Sequence, residues 1–322
     1  MKKTFKLISL SAALLLGCAG ATAQNYPTKP VKWIVGFAAG GGNDVLARAI
    51  APKISELLGQ QFIIENKTGA EGRIAADFVA KSAPDGYTIM SGASGQMVYN
   101  VGMFANLPYD PIKSFAPITV IGYTQLLFAS NPSVPANNLR EFINLAKAKP
   151  GAMFYSYPSS PHFVAFELFK KTAGIDLGSV PYKGDAPAVV AAIAGEVSVT
   201  STGLGNALPQ LQAGKIRGLA VTGPSRSQFA PNIPTVKESG VDFEGVSWTG
   251  LFAPAATPHP ILDKLYATFA AALKDPAMNE RILGTGYETN WNGMPPAEFA
   301  VFLKTDLNKW TKVMRDLGIK PQ

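Results

Sequence analysis

Three consecutive glycines separate an apolar run from a polar pair in Trp33-Ile34-Val35-Gly36-Phe37-Ala38-Ala39-Gly40-Gly41-Gly42-Asn43-Asp44. Val31 to Phe37 reads as a strand, and beyond Asn43-Asp44 a helical pattern carries Arg48. Glycines let main chain approach a ligand closely, and the first amides of the helix behind them lack an intrahelical carbonyl. Such a loop suits an anion. It is not a nucleotide loop, because no Gly-Lys-Ser/Thr follows and the glycine spacing departs from G-x-G-x-x-G. The plainer reading, a tight strand–helix turn with an Asn or Asp cap, stands beside it.

Few other residues could make or break bonds. The chain has 2 histidines and 1 cysteine. Gly92-Ala93-Ser94-Gly95 lacks the G-x-S-x-G spacing of a nucleophile elbow, so a secreted hydrolase would have to build its triad on His162. His259, in Thr257-Pro258-His259-Pro260, reads as an exposed helix start. Two isolated histidines argue against a zinc site, and no D-x-D-x-D-G run points to calcium. No metal or other cofactor is expected.

Residues 1–23 have the form of an export signal. Lys2, Lys3 and Lys6 precede an apolar stretch, Leu7 to Leu16, and Ala21-Thr22-Ala23 forms an A-x-A cleavage site. The apolar stretch is too short to span a bilayer. Leu15-Leu16-Gly17-Cys18 also resembles a lipoprotein box; A-T-A-Q is the better site. Processing there leaves no cysteine, hence no disulfide and no thiol chemistry. It also removes three lysines, so the formal charge falls from +7 to +4. That surplus is mild and unclustered, which gives nucleic-acid binding no support.

Strand-like segments alternate with amphipathic ones: Val31–Phe37, Phe62–Glu65, Tyr87–Ser91, Phe115–Gly122, Leu126–Ser130, Phe154–Tyr157, Val180–Tyr182, Val197–Thr200, Ile216–Val221 and Val246–Phe252. Between them lie helical stretches such as Val45–Leu58, Ile74–Ala83, Leu139–Lys147, Phe163–Thr172 and Ala186–Ala194; the C-terminus is mostly helical. The alternation predicts βαβ units with sheets covered on both faces. No Gly/Ser linker divides the chain, so strands themselves should cross between two lobes. Pro117–Ser130 and Val246–Pro254 are the candidates. The first lobe would then comprise 24–124 and 248–322, and the second 125–247.

These segments resemble the periplasmic receptors of tripartite tricarboxylate transporters, the TctC or Bug-type family. The resemblance runs from Tyr26-Pro27-Thr28-Lys29-Pro30 through Phe37–Asp44 with Arg48, Glu65-Asn66-Lys67-Thr68-Gly69-Ala70, Pro84-Asp85-Gly86-Tyr87-Thr88 and Leu107-Pro108-Tyr109-Asp110-Pro111. It continues in Val180-Pro181-Tyr182-Lys183-Gly184, Gly214-Lys215-Ile216-Arg217, Ala220-Val221-Thr222 and Ile233-Pro234-Thr235-Val236, to Gly318-Ile319-Lys320. It implies a type II venus-flytrap fold of two doubly wound α/β lobes, not an enzyme. Such a protein would act as a monomer, capturing a small carboxylate and delivering it to a membrane permease. A co-receptor handing the liganded lobes to a sensor kinase shares the binding step.

The resemblance also implies two carboxylate-holding loops. In the first, amides near Gly41, Gly42 and Asn43 would face the ligand, with Phe37 as an apolar wall. Asp44 would fix the loop and cap the helix, or reach the ligand through water. The second is Ser156-Tyr157-Pro158-Ser159-Ser160-Pro161-His162, with Ser159 and Ser160 as caps or donors and Pro161 in the first helical turn. It looks about two residues shorter than the usual pattern, and His162 falls one place off register; it either donates to the ligand or sits exposed. Ser94 and Gln96 at one strand end, and Tyr182 and Lys183 at another, are further cleft candidates, Lys183 equally a solvated lysine. Where relatives carry an aromatic, an acid and an asparagine, this chain has Ser201-Thr202-Gly203. That leaves room for a bulkier ligand, which favours an aromatic carboxylate such as terephthalate, with Thr202 on the wall. Trp248 either packs or stacks on the ligand.

Overall fold

The computed structural model describes residues 26–321; the export signal, its cleavage site and Cys18 lie outside the described residues. Strand β1 (Val31–Val35) buries every residue but Lys32, the pattern of a central strand covered on both faces. It pairs in parallel with β2 (Phe62–Asn66) on one side and β3 (Thr88–Ala93) on the other. Helix α1 (Gly42–Leu58) makes the first crossover and α2 (Arg73–Ala80) the second. After β3 a wide turn, Gly95–Tyr99, runs into α3 (Asn100–Met103), where the sequence pattern suggested only a strand-end loop.

Beyond β3 the sheet becomes antiparallel. β9 (Val246–Pro254) lies between β3 and the first part of β4, a single strand from Phe115 to Ser130. Residues Phe115–Gln125 pair with β9, whereas Leu126–Ser130 pair with β7 (Val199–Gly203) and β8 (Arg217–Val221). The segment pattern interrupts β4 near Tyr123–Gln125, although Pro117–Ser130 also reads as one crossing run. The strand is continuous because Thr124 and Gln125 pair with Ser247 and Val246. The buried Gln125 amide is also satisfied by Ser225 O and Gly223 N–H. The return crossing is at Gly245, whose N–H donates to Thr222 O just before β9 begins.

The second half repeats the βαβ logic with β5 (Phe154–Tyr157) parallel to β6 (Gly178–Pro181) and β7. Helix α4 (Leu139–Ala148) packs on this half, with α5 (Ser160–Ala173), α6 (Asp185–Ala194) and α7 (Leu204–Gln212). The full order is β2-β1-β3-β9-β4-β7-β5-β6, with β8 also on β4. Helix α7 was not foreseen, since Gly205 and Pro209 weaken its helical signal. Gly205 has a packing reason: a Cβ there would lie 2.6 Å from the Gly286 backbone.

The C-terminal helices α8 (His259–Leu273), α9 (Pro276–Leu283) and α10 (Pro296–Asp316) return to the first half. Phe269 meets Trp33 edge-on at 5.4 Å, and Trp310 lies on Tyr99 at 5.0 Å. In the second half Phe128 packs edge-on against Phe166 at 4.8 Å. Such pairs add about 0.5–1.5 kcal/mol each beyond area burial. No helix of the described residues is long and apolar enough to cross a membrane.

Candidate functional site

The loop after β1 is fixed from inside. Gly40 has φ +78°, a conformation few side chains tolerate, and the turn closes with the Gly41 N–H on Ala38 O at 3.0 Å. Asp44, 2% exposed, accepts the Gly40 N–H at 2.9 Å and the Asn66 amide at 2.8 Å, with Arg48 Nε 3.0 and 2.9 Å from its two oxygens. Burial alone would oppose ionisation, but the bonds from Arg48, Gly40 and Asn66 outweigh it and hold this carboxyl below its usual range. Asn66 also donates to Phe37 O at 3.0 Å. Asp44 therefore ties the loop together and makes no N-cap bond; the cap residue is Gly41.

The Gly41 amide is spent within the turn, so its expected role facing a ligand is corrected. The amides of Asn43 and Gly42 donate to no carbonyl or side chain among the described residues, whereas Asp44 and Val45 both donate to Gly41 O. Asn43 Oδ1 accepts from Thr249 Oγ1 at 2.7 Å. Tyr287 closes the same corner, since a Cβ on Gly42 would lie 3.3 Å from its hydroxyl. Burial raises the Tyr287 phenol to about 12, with the Asp185 charge adding to the rise and a hydrogen bond shared with Thr249 opposing it. Phe37 is half-buried beside this loop.

The second loop leads from β5 into α5. Ser159 is the N-cap residue by position, but its hydroxyl makes no cap bond; it meets His162 Nδ1 at 2.8 Å. Ser160 donates to the Glu71 carboxylate, and Pro161 sits in the first turn beside Gly95. The amides of Ser160 and His162 have no partner among the described residues. His162 is 7% exposed, so it does not sit open at the turn. Its Nε2 has no hydrogen-bond partner and lies 3.8 Å from Asp185 Oδ1. Burial pushes the imidazole below its usual range, with the Asp185 charge opposing.

Asp185, first residue of α6, accepts from Thr202 Oγ1 at 2.7 Å, Gly203 N–H at 2.8 Å and Asn206 Nδ2 at 2.9 Å. Thr202 and Ser201 thus serve neighbours: Thr202 holds Asp185, and Ser201 donates to His162 O at 3.2 Å. Glu71 comes from a strained turn in which Ala70 and Glu71 have φ +48° and +53° between Gly69 and Gly72. Glu71, Asp185, Thr249 and Tyr287 were all missed by sequence reasoning. The paired glycines around Glu71 were the one available signal.

Other candidates fall elsewhere. Gln96 is fully buried, accepting from Ala93 N–H and donating to Gly72 O, so its expected place on the cleft wall is corrected: it supports the Glu71 turn. Ser94 is joined to Ser247 at 3.1 Å. Tyr182 packs on Ala191, Ala192 and Val197, with its hydroxyl on Glu196. Lys183 is exposed. Trp248 is buried among Phe252, Phe299 and Phe302 with its indole N–H on Asp306, which makes it a packing residue. Among the described residues no three of His, Cys, Asp and Glu are grouped to hold a metal.

Two α/β halves joined by crossing strands, each with a loop that leads from a parallel strand into a helix start, have the architecture of a two-lobe binding protein of the periplasmic receptor class. The chain belongs to the tripartite tricarboxylate transporter receptor family, whose model, described as "Tripartite tricarboxylate transporter family receptor", matches residues 46–319. It is 30% identical to Protein BugT of Bordetella pertussis over 325 residues, covering 99% of this chain and 99% of that one. Among solved structures it resembles R. palustris Rpa4515 with adipate, at 35% identity and TM-score 0.85, over 92% of this chain and 100% of that one. It also resembles MatC (Rpa3494) from Rhodopseudomonas palustris with bound malate, at 31% identity and TM-score 0.79, over 89% and 99%. The family's members are periplasmic solute receptors rather than enzymes.

Proposed function

We propose that this chain captures a small organic carboxylate between its lobes by hinge closure and presents it, as a monomer, to a tripartite tricarboxylate-type permease. The lobes would be 24–124 with 248–322, and 125–247. The observation that carries this reading is the pair of unpartnered amides of Gly42 and Asn43 at the start of α1. A helix N-terminus with free N–H groups is an anion site, and Asp44 does not oppose it because Arg48 and Asn66 hold its charge. Across the hinge the free amides of Ser160 and His162 at the start of α5 supply the second jaw. Phe37 forms the apolar wall. The carboxylates named for the adipate- and malate-bound relatives agree with this class of ligand.

The small residues Ser201-Thr202-Gly203 were the ground for favouring an aromatic carboxylate. They are occupied in aiming His162 and Asp185, so terephthalate and benzoate enter the screen as candidates beside aliphatic acids. The hydrolase alternative has a superficial match in Ser159, His162 and Asp185. The serine, however, bonds Nδ1, and Asp185 stands 3.8 Å from Nε2, beyond hydrogen-bond reach.

The test is a thermal-shift and calorimetric screen of the purified protein against mono-, di- and tricarboxylates, aromatic acids and amino acids. Binding should raise the melting temperature by mass action and leave the compound intact. Turnover of a bound acid, or no shift with any acid, would overturn the reading.

A further inference from the structure

Gly205 and Gly286 bring the main chains of the two halves into direct contact. A Cβ on Gly205 would lie 2.6 Å from Gly286 Cα and from its carbonyl oxygen, and one on Gly286 would lie 2.8 Å from Gly205 Cα. Each glycine is anchored in its own half. Gly205 stands in the first turn of α7, where Leu204 and Ala207 are buried with Leu127 and Val189. The Gly203 N–H just before it is held by Asp185 at 2.8 Å. Gly286 closes the turn after α9 by donating its N–H to Leu283 O at 2.8 Å, between Ile282 and Tyr287, which are buried with Leu46 and Leu251. The contact also flanks the crossing: Gly203 pairs with Leu126 on β4, and Glu288 exchanges both backbone bonds with Tyr123 on the same strand.

We propose that Gly205 and Gly286 are positioning residues for ligand capture, and that their contact is the stop that fixes how far the two halves close. This rests on the two-lobe receptor reading above and adds the residues that set its closed geometry. Ser160 and Glu71 also join the halves, but through side chains, which can rotate to follow a displacement. Two main chains cannot yield in that way, because each belongs to a packed element and close-packed interiors compress little. The stop is connected to both helix starts. Tyr287, next to Gly286, lies against Gly42 at the start of α1. Asp185, which holds Gly203, lies 3.8 Å from His162 Nε2 at the start of α5. A side chain wedged between the glycines therefore holds the α1 amides away from the α5 amides.

The test is Gly205→Ala. Its methyl would lie 2.6 Å from the Gly286 backbone, well inside the roughly 3.5–4.0 Å of packed carbon atoms, while alanine itself favours the helix. The probe is whichever of adipate, malate and benzoate binds the wild type most tightly or, if none does, the tightest acid of the wider screen. Calorimetry should show affinity at least about tenfold weaker in the variant. Small-angle scattering should show the acid shrinking the radius of gyration of the variant by less than about half as much as that of the wild type. A smaller loss of affinity, a contraction of half or more, or a wild type that does not contract on binding overturns the stop, whatever happens to the melting temperature. If the variant does not fold, amide exchange in the wild type decides: slower exchange in both 203–206 and 284–287 on adding the acid is expected, and unchanged exchange in either overturns the stop. Absence of binding by any acid defeats the receptor reading itself, and the stop with it; binding that Gly205→Ala leaves untouched defeats the stop alone.

Discussion

The two helix starts proposed to hold the ligand are built in opposite ways. At the first, the acid belongs to the scaffold: Asp44 is buried, bonded to Gly40, Arg48 and Asn66, and its charge is matched. At the second, the acids Glu71 and Asp185 reach the loop from other segments and meet only neutral partners. The first loop is set before any ligand arrives, whereas the second is assembled from pieces whose charges remain available. On the proposed reading, the first loop grips the carboxylate and the second sets selectivity.

Breaking the first loop should have the largest effect on stability. Asp44→Ala leaves Gly40 N–H and Asn66 unpaired and Arg48 without its partner. The cost should be about 2–4 kcal/mol in chemical denaturation, the range for losing one member of a buried network. A loss under about 1 kcal/mol would mean that the glycines alone hold the turn.

At the second loop the effects should appear in binding. Ser160→Ala frees Glu71 and removes a cleft hydroxyl, so carboxylate affinity should fall by about tenfold while stability changes by less than about 1 kcal/mol. A large melting loss with unchanged affinity would make Ser160 a structural residue only.

The histidine sharpens the contrast through pH. Its native value lies below the ordinary 6.5, because burial disfavours the cation. The unfolded chain therefore takes up the proton first, and stability should decline as pH falls below about 6.5 toward the lower native value. His162→Gln should flatten that slope in thermal melts recorded from pH 7 to 5. An unchanged slope assigns it to another group. Smallest of all, Lys183→Ala should leave affinity within about twofold, as for an exposed side chain outside the contacts.

Much of this was legible in the chain. The glycine bend, the capping region of α5 and the long β4 run follow from turn chemistry and alternation, and each positions part of the cleft. The acids that brace the second loop were not. Glu71 and Asp185 are ordinary acids in sequence, brought to the cleft by a strained turn and by the start of α6. Gln96 lies at a strand end, where cleft residues are expected, yet the wide turn at Gly95–Tyr99 rotates it inward onto Gly72. Only tertiary packing distinguishes an amide that faces a ligand from one that braces a loop.

The central claim concerns two backbone amides, and one of them can be removed almost alone. Gly42 is the first residue of α1, where proline fits the helix and Gly41 already has the extended backbone that proline demands of its predecessor. Gly42→Pro deletes that N–H; Gly42→Ala adds the same Cβ near Tyr287 and keeps it. Calorimetry on the two variants should show affinity for the best carboxylate at least about tenfold weaker in the proline form than in the alanine form, at similar melting temperatures. Equal affinities would contradict the account, because the acid group would then be held somewhere other than the start of α1.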